Sequence, residues 1–177
     1  MNDATYQRID EITRRILDGG EAGADDGRWL IRLEDDYLSW LMAGADRIRR
    51  RFRGEAVEVC AISNVRSGNC SENCSFCAQS GHYRTDAPRY DYITSEQLTA
   101  QARRAREWGA SDFGVVSKGW GVRSARERGQ LADYFAAMRE TSDIGRCASL
   151  GVLDAQTARE LKAMGLENYH HNLETAA

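Results

Sequence analysis

Within the run Ser67-Gly68-Asn69-Cys70-Ser71-Glu72-Asn73-Cys74-Ser75-Phe76-Cys77-Ala78-Gln79-Ser80, three cysteines stand at C-x3-C-x2-C spacing among glycine, serine and asparagine. Thiolates are soft ligands, and three from one short loop can converge on a single iron–sulfur cluster. Three protein ligands to a four-iron cube leave one iron open, and an open coordination position is where a metal centre takes up a substrate or cofactor. Other chemistries compete for the same thiols. A disulfide framework fits poorly, because five cysteines is an odd number and the opening Met1-Asn2-Asp3-Ala4 is acidic rather than the start of a secretory leader. A structural zinc site needs a fourth ligand, for which His82 stands near enough in sequence. Two triplets, Asn69-Cys70-Ser71 and Asn73-Cys74-Ser75, match the N-glycosylation pattern; without a secretory leader they read as coincidence.

The rest of the chain must fold to hold this loop. Its 24 bases and 27 acids give a net charge of −3, which argues against a general nucleic-acid binder. Only Lys118 and Lys162 are lysines; the other bases are arginines. A hydrophobic content of 42% suffices for a globular core, and no run of 18 apolar residues suggests a membrane-spanning helix. Reduced cysteines and an oxygen-sensitive cluster imply the cytoplasm.

Ile9, Ile12 and Ile16 recur at helical spacing, predicting a helix over 5–17 that Gly19 and Gly20 stop. An acidic loop is expected over Gly23 to Gly27. A second amphipathic helix is expected from about Leu30 to Phe52, with Leu33, Tyr37, Leu41 and Ile48 toward a core and Gly44 as an interruption. Its basic end, Arg47 to Arg53, reads as a solvated face that complements the helix dipole. From Val57 the period changes. Val57 to Asn64 reads as a strand running into the cysteine loop, with Cys60 as a core residue. Thr94 with Gln97 forms a capping-box signature for a helix that Gly109 ends. Then come a strand over Ser111–Ser117, a helix over Ser124–Glu140, a strand over Ile144–Leu150, a helix from Asp154 to Gly165 and a strand over Glu167–Leu173.

Strand alternating with helix four times predicts parallel βα units, with the cysteines at the carboxyl end of the first strand, where (β/α) barrels keep their active sites. The fold class expected is therefore α/β: a partial (β/α) TIM-type barrel of about four βα units after an N-terminal helical leader. The leader is expected over 1–54 and the barrel portion over 55–177. A whole barrel takes about 250 residues, so the expectation is a fragment, or a chain that completes itself against another.

The cysteine spacing, with Phe76 just before the last thiol, resembles the radical S-adenosylmethionine (SAM) superfamily. More specifically, Cys70 to Ser80 resembles the cluster loop of the biotin synthase family. Cys147-Ala148-Ser149-Leu150-Gly151 resembles that family's third-strand motif, and Tyr169-His170-His171-Asn172-Leu173-Glu174-Thr175 its fourth-strand motif. The resemblance runs from about Leu33 to Ala177, as the N-terminal half of such an enzyme. It implies a [4Fe–4S] cluster on Cys70, Cys74 and Cys77 that binds SAM, splits it by one-electron transfer to a 5′-deoxyadenosyl radical, and so opens dethiobiotin to sulfur insertion from a second iron–sulfur cluster. It implies that Phe76 lies against the adenine, that Asn172 and Glu174 serve SAM, that His170 lies near the substrate, and that Cys147 is a second-cluster ligand. It also implies an electron donor such as flavodoxin or ferredoxin and a homodimer when full length, with no nucleic-acid or membrane partner.

Three departures stand against the pattern. His170 replaces the usual asparagine, Glu174 replaces the usual aspartate, and Gly114 stands where the family has a second-strand cysteine. One thiolate cannot hold a cluster, so other readings stay open: a radical SAM mutase or ring-forming enzyme without a sulfur-donating cluster, or an inactive, truncated iron–sulfur protein.

Overall fold

The computed structural model describes residues 4–141 and 143–172. It divides into two compact units, Met1–Val57 and Glu58–Ala177.

The first unit is helical. Helix α1 (Ala4–Leu17) buries Ile9 and Ile12 of the expected stripe together with Thr13, while Ile16 is half-buried. A short helix α2 (Ala24–Leu30) follows, then a 3-10 turn (Asp35–Tyr37) and helix α3 (Leu38–Arg53). The stretch expected as an acidic loop is therefore largely α2. Asp26 accepts from the Gly23 N–H at 3.0 Å, so the acids cap a helix start rather than avoid one. The expected helix from Leu30 to Phe52 is likewise broken over 31–34 and resumes only after the 3-10 turn. Gly44 does not interrupt α3. It is the buried point where α1 meets α3: a Cβ there would stand 2.5 Å from Thr13 Oγ1, so only glycine permits this approach. Leu33, Tyr37, Leu41 and Ile48 are half-buried, as their spacing suggests. The rings of Tyr6 and Tyr37 meet edge to face at 5.0 Å. Arg49 and Arg50 pair with Asp46 on an exposed face.

The second unit is a four-stranded parallel sheet in the order β1 (Cys60–Arg66), β2 (Asp112–Ser117), β3 (Gly145–Ser149), β4 (Asn168–Tyr169), connected by helices α4 (Ser95–Glu107), α5 (Ala125–Thr141) and α6 (Ala155–Ala163). The helix starts are written locally. Thr94 and Gln97 exchange backbone and side-chain hydrogen bonds at the head of α4. Ser124 and Glu127 do the same for α5, and Asp154 accepts from the Thr157 N–H at 2.7 Å at α6.

Alternate residues of a strand face opposite sides of its sheet. Ser63, Val115, Ala148 and Tyr169 lie in register across the four strands, on the side covered by Leu98, Leu131, Tyr134, Phe135 and Leu161. Ile62, Gly114, Cys147 and Asn168 form the next row and face away; Ile62 is 67% exposed. Cys60 lies on that open side too and is exposed, not core. A sheet with helices on one side and an open opposite side is a partial (β/α) barrel.

β4 is shorter than its sequence pattern. It spans Asn168–Tyr169, and pairing continues only through the His170 N–H to Ala148 O at 2.8 Å. His170 and Asn172 thus lie beyond the strand, so alternation within a strand does not place them. Leu173 and Glu174 lie outside the described residues.

Candidate functional site

The carboxyl ends of the parallel strands gather most of the residues singled out above. The cysteine loop leaves β1, and His170 and Asn172 follow β4; Lys118, which was not among them, follows β2. Cys147 lies one row deeper, within β3.

The cysteine loop closes on itself. Ser67 and Tyr90 exchange backbone hydrogen bonds of 3.1 and 3.2 Å, which fixes its base. The Cys70 N–H donates to Gln79 O and the Gly81 N–H to Cys70 O, both at 2.8 Å, so the loop's two limbs are zipped at the first thiol. The Cys77 N–H donates to Cys74 O at 3.1 Å, folding the other two thiols into one turn. Side chains complete the closure. Gln79 Oε1 accepts from Asn64 Nδ2 and from the Gly68 N–H, each at 3.3 Å. Buried Ser80 donates to Glu72 O at 2.7 Å, and Tyr90 donates its hydroxyl to Asn64 O at 2.7 Å.

Cys70, Cys74 and Cys77 are each half-buried, and none of the five cysteines forms a disulfide. The donor set therefore suits a soft metal cluster: three thiols on one closed loop. The backbone brings the three onto one loop, but their sulfurs are not gathered. Among the described residues, no three His, Cys, Asp or Glu side chains stand close enough together to hold a metal ion. His82 points its Nε2 at Ser71 O, 3.0 Å away. Phe76 is 67% exposed on the turn between the second and third thiols.

Beside Cys70 opens a polar cleft of about 270 Å³, lined by Arg66, Asn69, Lys118, Trp120, Arg123 and Glu127. Arg66 bridges Glu127 at 3.0 Å and Asp91 at 3.3 Å. Burial pushes the Glu127 carboxyl up, but the N–H groups of Ser124 and Arg123, the Ser124 hydroxyl and Arg66 outweigh it and hold the acid below the usual range. Among the described residues, the buried Asn64 Oδ1 in β1 has no hydrogen-bond partner, so a donor on a ligand would satisfy it.

Around Cys147 the donors are fewer. Burial first, then the Asp112 carboxylate, raise this thiol's pKa, with Cys60 adding to the rise and Asn168 opposing it. Cys147 Sγ lies 3.8 Å from Asp112 Oδ1. A Cβ on Gly114 would meet Ile62 Cγ2 at 3.1 Å and the Cβ of Cys147 at 3.9 Å, so Ile62 crowds the place a second-strand side chain would take. Within the described residues this set does not suit a second iron–sulfur cluster. At the far edge, His170 Nε2 and Asn172 Oδ1 are 2.7 Å apart.

Sequence reading passed over Lys118, Gln79, Asn64 and Tyr90, the residues that brace the loop. Only Lys118 carried a signal, as a lysine in a chain built on arginine.

No family model matches the chain. Among curated proteins it is 44% identical over 168 residues to the biotin synthase of Syntrophotalea carbinolica, covering 95% of this chain and 51% of that protein. It is 40% identical to the biotin synthase of Pelotomaculum thermopropionicum and 39% identical to that of Citrifermentans bemidjiense, over 94% and 96% of its own length. The chain spans about half the length of these relatives. Among solved structures it is similar to HydG, a maturase of the [FeFe]-hydrogenase, with a TM-score of 0.67 and 15% identity over 93% of this chain and 36% of that one. At that identity the likeness speaks for the fold alone.

Proposed function

We propose, from homology to about half the length of the biotin synthases, that this chain is the N-terminal half of a radical SAM core of that kind, with residues 1–54 as a helical leader and 55–177 as the barrel portion. The observation that carries the reading is the closed three-cysteine loop at the carboxyl end of β1 in a chain that aligns with biotin synthases over 95% of its length.

Cys70, Cys74 and Cys77 would hold a [4Fe–4S] cluster, and its capture would draw in side chains that the loop already keeps near one another. When bound, the cluster supplies one electron to SAM. This chain's own residues bind and orient. Phe76, exposed on its turn, offers a ring face to adenine. Asn172, with Oδ1 on the His170 ring, would donate its amide N–H groups to SAM, and Glu174 would accept from ribose hydroxyls. His170 then faces the substrate, dethiobiotin. An electron donor of the flavodoxin or ferredoxin kind, a homodimeric full-length enzyme and a cytoplasmic setting belong to the same proposal.

Sulfur insertion would need more ligands for a second cluster than Cys147 and Cys60, the two thiols on the open side of the sheet among the described residues. The Gly114–Ile62 contact favours a second reading, a mutase or ring-forming reaction on the same core without a sulfur-donating cluster. Reconstitution with iron and sulfide under anaerobic conditions tests the shared part. The wild-type chain should bind about four irons and shift its absorption when SAM is added, and Cys74→Ala should lose both. Retention of both by Cys74→Ala would overturn the assignment. Product analysis with dethiobiotin, on a polypeptide that continues into further βα units, separates the two reactions.

A further inference from the structure

We propose that Lys118 is a positioning residue for the cysteine loop, its ammonium pinning the carbonyls of Gly68 and Asn69 and thereby holding the turn that presents Cys70. The cluster arm of this inference rests on the reading of Cys70, Cys74 and Cys77 as ligands.

The turn needs holding. Gly68 and Asn69 have φ of 72° and 50°, two successive left-handed residues directly before the first thiol. Among the described residues Asn69 is the one non-glycine with positive φ. Such a conformation costs free energy and persists only where its surroundings over-determine it. Gly68 cannot escape by gaining a side chain, since a Cβ would stand 2.8 Å from Pro88 O.

Lys118 lies just past the end of β2 and is half-buried. Its Nζ donates to Gly68 O and lies 3.4 Å from Asn69 O. From the other side, the Gly68 N–H donates to Gln79 Oε1. The peptide groups flanking Gly68 are thus gripped at both ends, and β2 is tied to the loop that leaves β1. The residue type suits the task. The chain uses arginine nearly everywhere, but a planar guanidinium fork fits two converging carbonyls less well than a compact ammonium with three tetrahedral donors.

The test reads loop order and iron separately, on the whole chain. Lys118→Met should speed hydrogen exchange at the Gly68 and Cys70 amides by roughly tenfold or more, the loss expected for a charge-assisted hydrogen bond. Amides within α4 and α5 should keep their protection. The same variant should retain less iron after reconstitution and desalting, and Asn69→Gly in the Lys118→Met chain should restore part of that iron, because glycine takes a positive φ at little cost. Unchanged loop exchange overturns the proposal. So does equal loosening of α4 and α5, which would make Lys118 a general support of the fold, and so does the absence of any rescue by Asn69→Gly. If the wild-type chain binds no iron, the cluster reading fails, while the exchange measurement still decides whether Lys118 holds the turn.

Discussion

The cysteine loop and the segment after β4 both carry expected site residues at the carboxyl ends of their strands, on opposite edges of the sheet, and they are built in opposite ways. The loop spans fifteen residues from Ser67 to Gly81, and its backbone is bonded to itself, to Tyr90 and to Lys118. The segment after β4 has a two-residue strand, one further backbone bond to Ala148, and a side-chain contact between His170 and Asn172. The loop is positioned by neighbours close in sequence plus one lysine. Among the described residues β4 pairs with β3 on one side, and a strand at the edge of a parallel sheet has its other side unpaired. Geometry at the thiols is therefore set by these residues themselves, whereas geometry around Asn172 depends on whatever pairs next to β4.

The largest blow to both regions should come from the shared core. Phe113 is 2% exposed, one residue into β2, in the core cluster that β1 and β4 also pack against. Phe113→Ala should cost about 3–5 kcal/mol in urea unfolding and loosen loop and β4 together. Ile62→Ala, on the open side of the sheet, should change stability by less than about 0.5 kcal/mol. If the two variants cost the same, the open side is covered by something.

A smaller pair of changes should separate the regions. Tyr169 donates its hydroxyl to Gly151 O at 2.6 Å and accepts from the Leu150 N–H at 3.3 Å. Tyr169→Phe should cost about 1 kcal/mol and raise hydrogen exchange at the His170 amide without touching that of Cys70. Gln79→Ala should do the reverse. Coupled loosening of both amides by either variant would erase the distinction.

A further effect is one of pH. Tyr134 is fully buried, and its hydroxyl donates to Ile93 O. Ile93 in turn donates to Val65 O at 3.0 Å, beside the Tyr90 strap that seats the loop. Burial, then Tyr92 and Asp91, push the Tyr134 pKa up to about 12 from the usual 10.0. The folded state holds this proton more tightly than the unfolded chain. The resulting stability is complete below pH 10 and is lost as the pH rises from 10 toward 12. Tyr134→Phe should flatten that stretch of the stability profile, measured by denaturant unfolding at pH 9 and pH 11. An equal alkaline loss in both proteins would show that Tyr134 is not its source.

Much of this protein was legible in its residues because much of it is local. The thiol spacing, the capping pairs at Thr94 and Ser124, the Asp154 cap and the change of period near Val57 each act within a few positions, so composition and order suffice to state them. The four βα units follow from the same local signals. Other features answer to partners distant in sequence. Gly44 reads as a helix breaker until α1 is laid against it. Cys60 reads as core until the row Ile62–Gly114–Cys147 shows which side of the sheet lacks a helix layer. The strand expected over Glu167–Leu173 stops at Tyr169, because a strand extends only as far as its neighbour pairs with it. Lys118 lies 49 residues from Asn69, and no local pattern connects them. The spacing of the thiols was determined by the sequence alone. The turn that presents the first of them was decided by the tertiary structure, since a left-handed pair of residues is held by groups that only folding brings within reach.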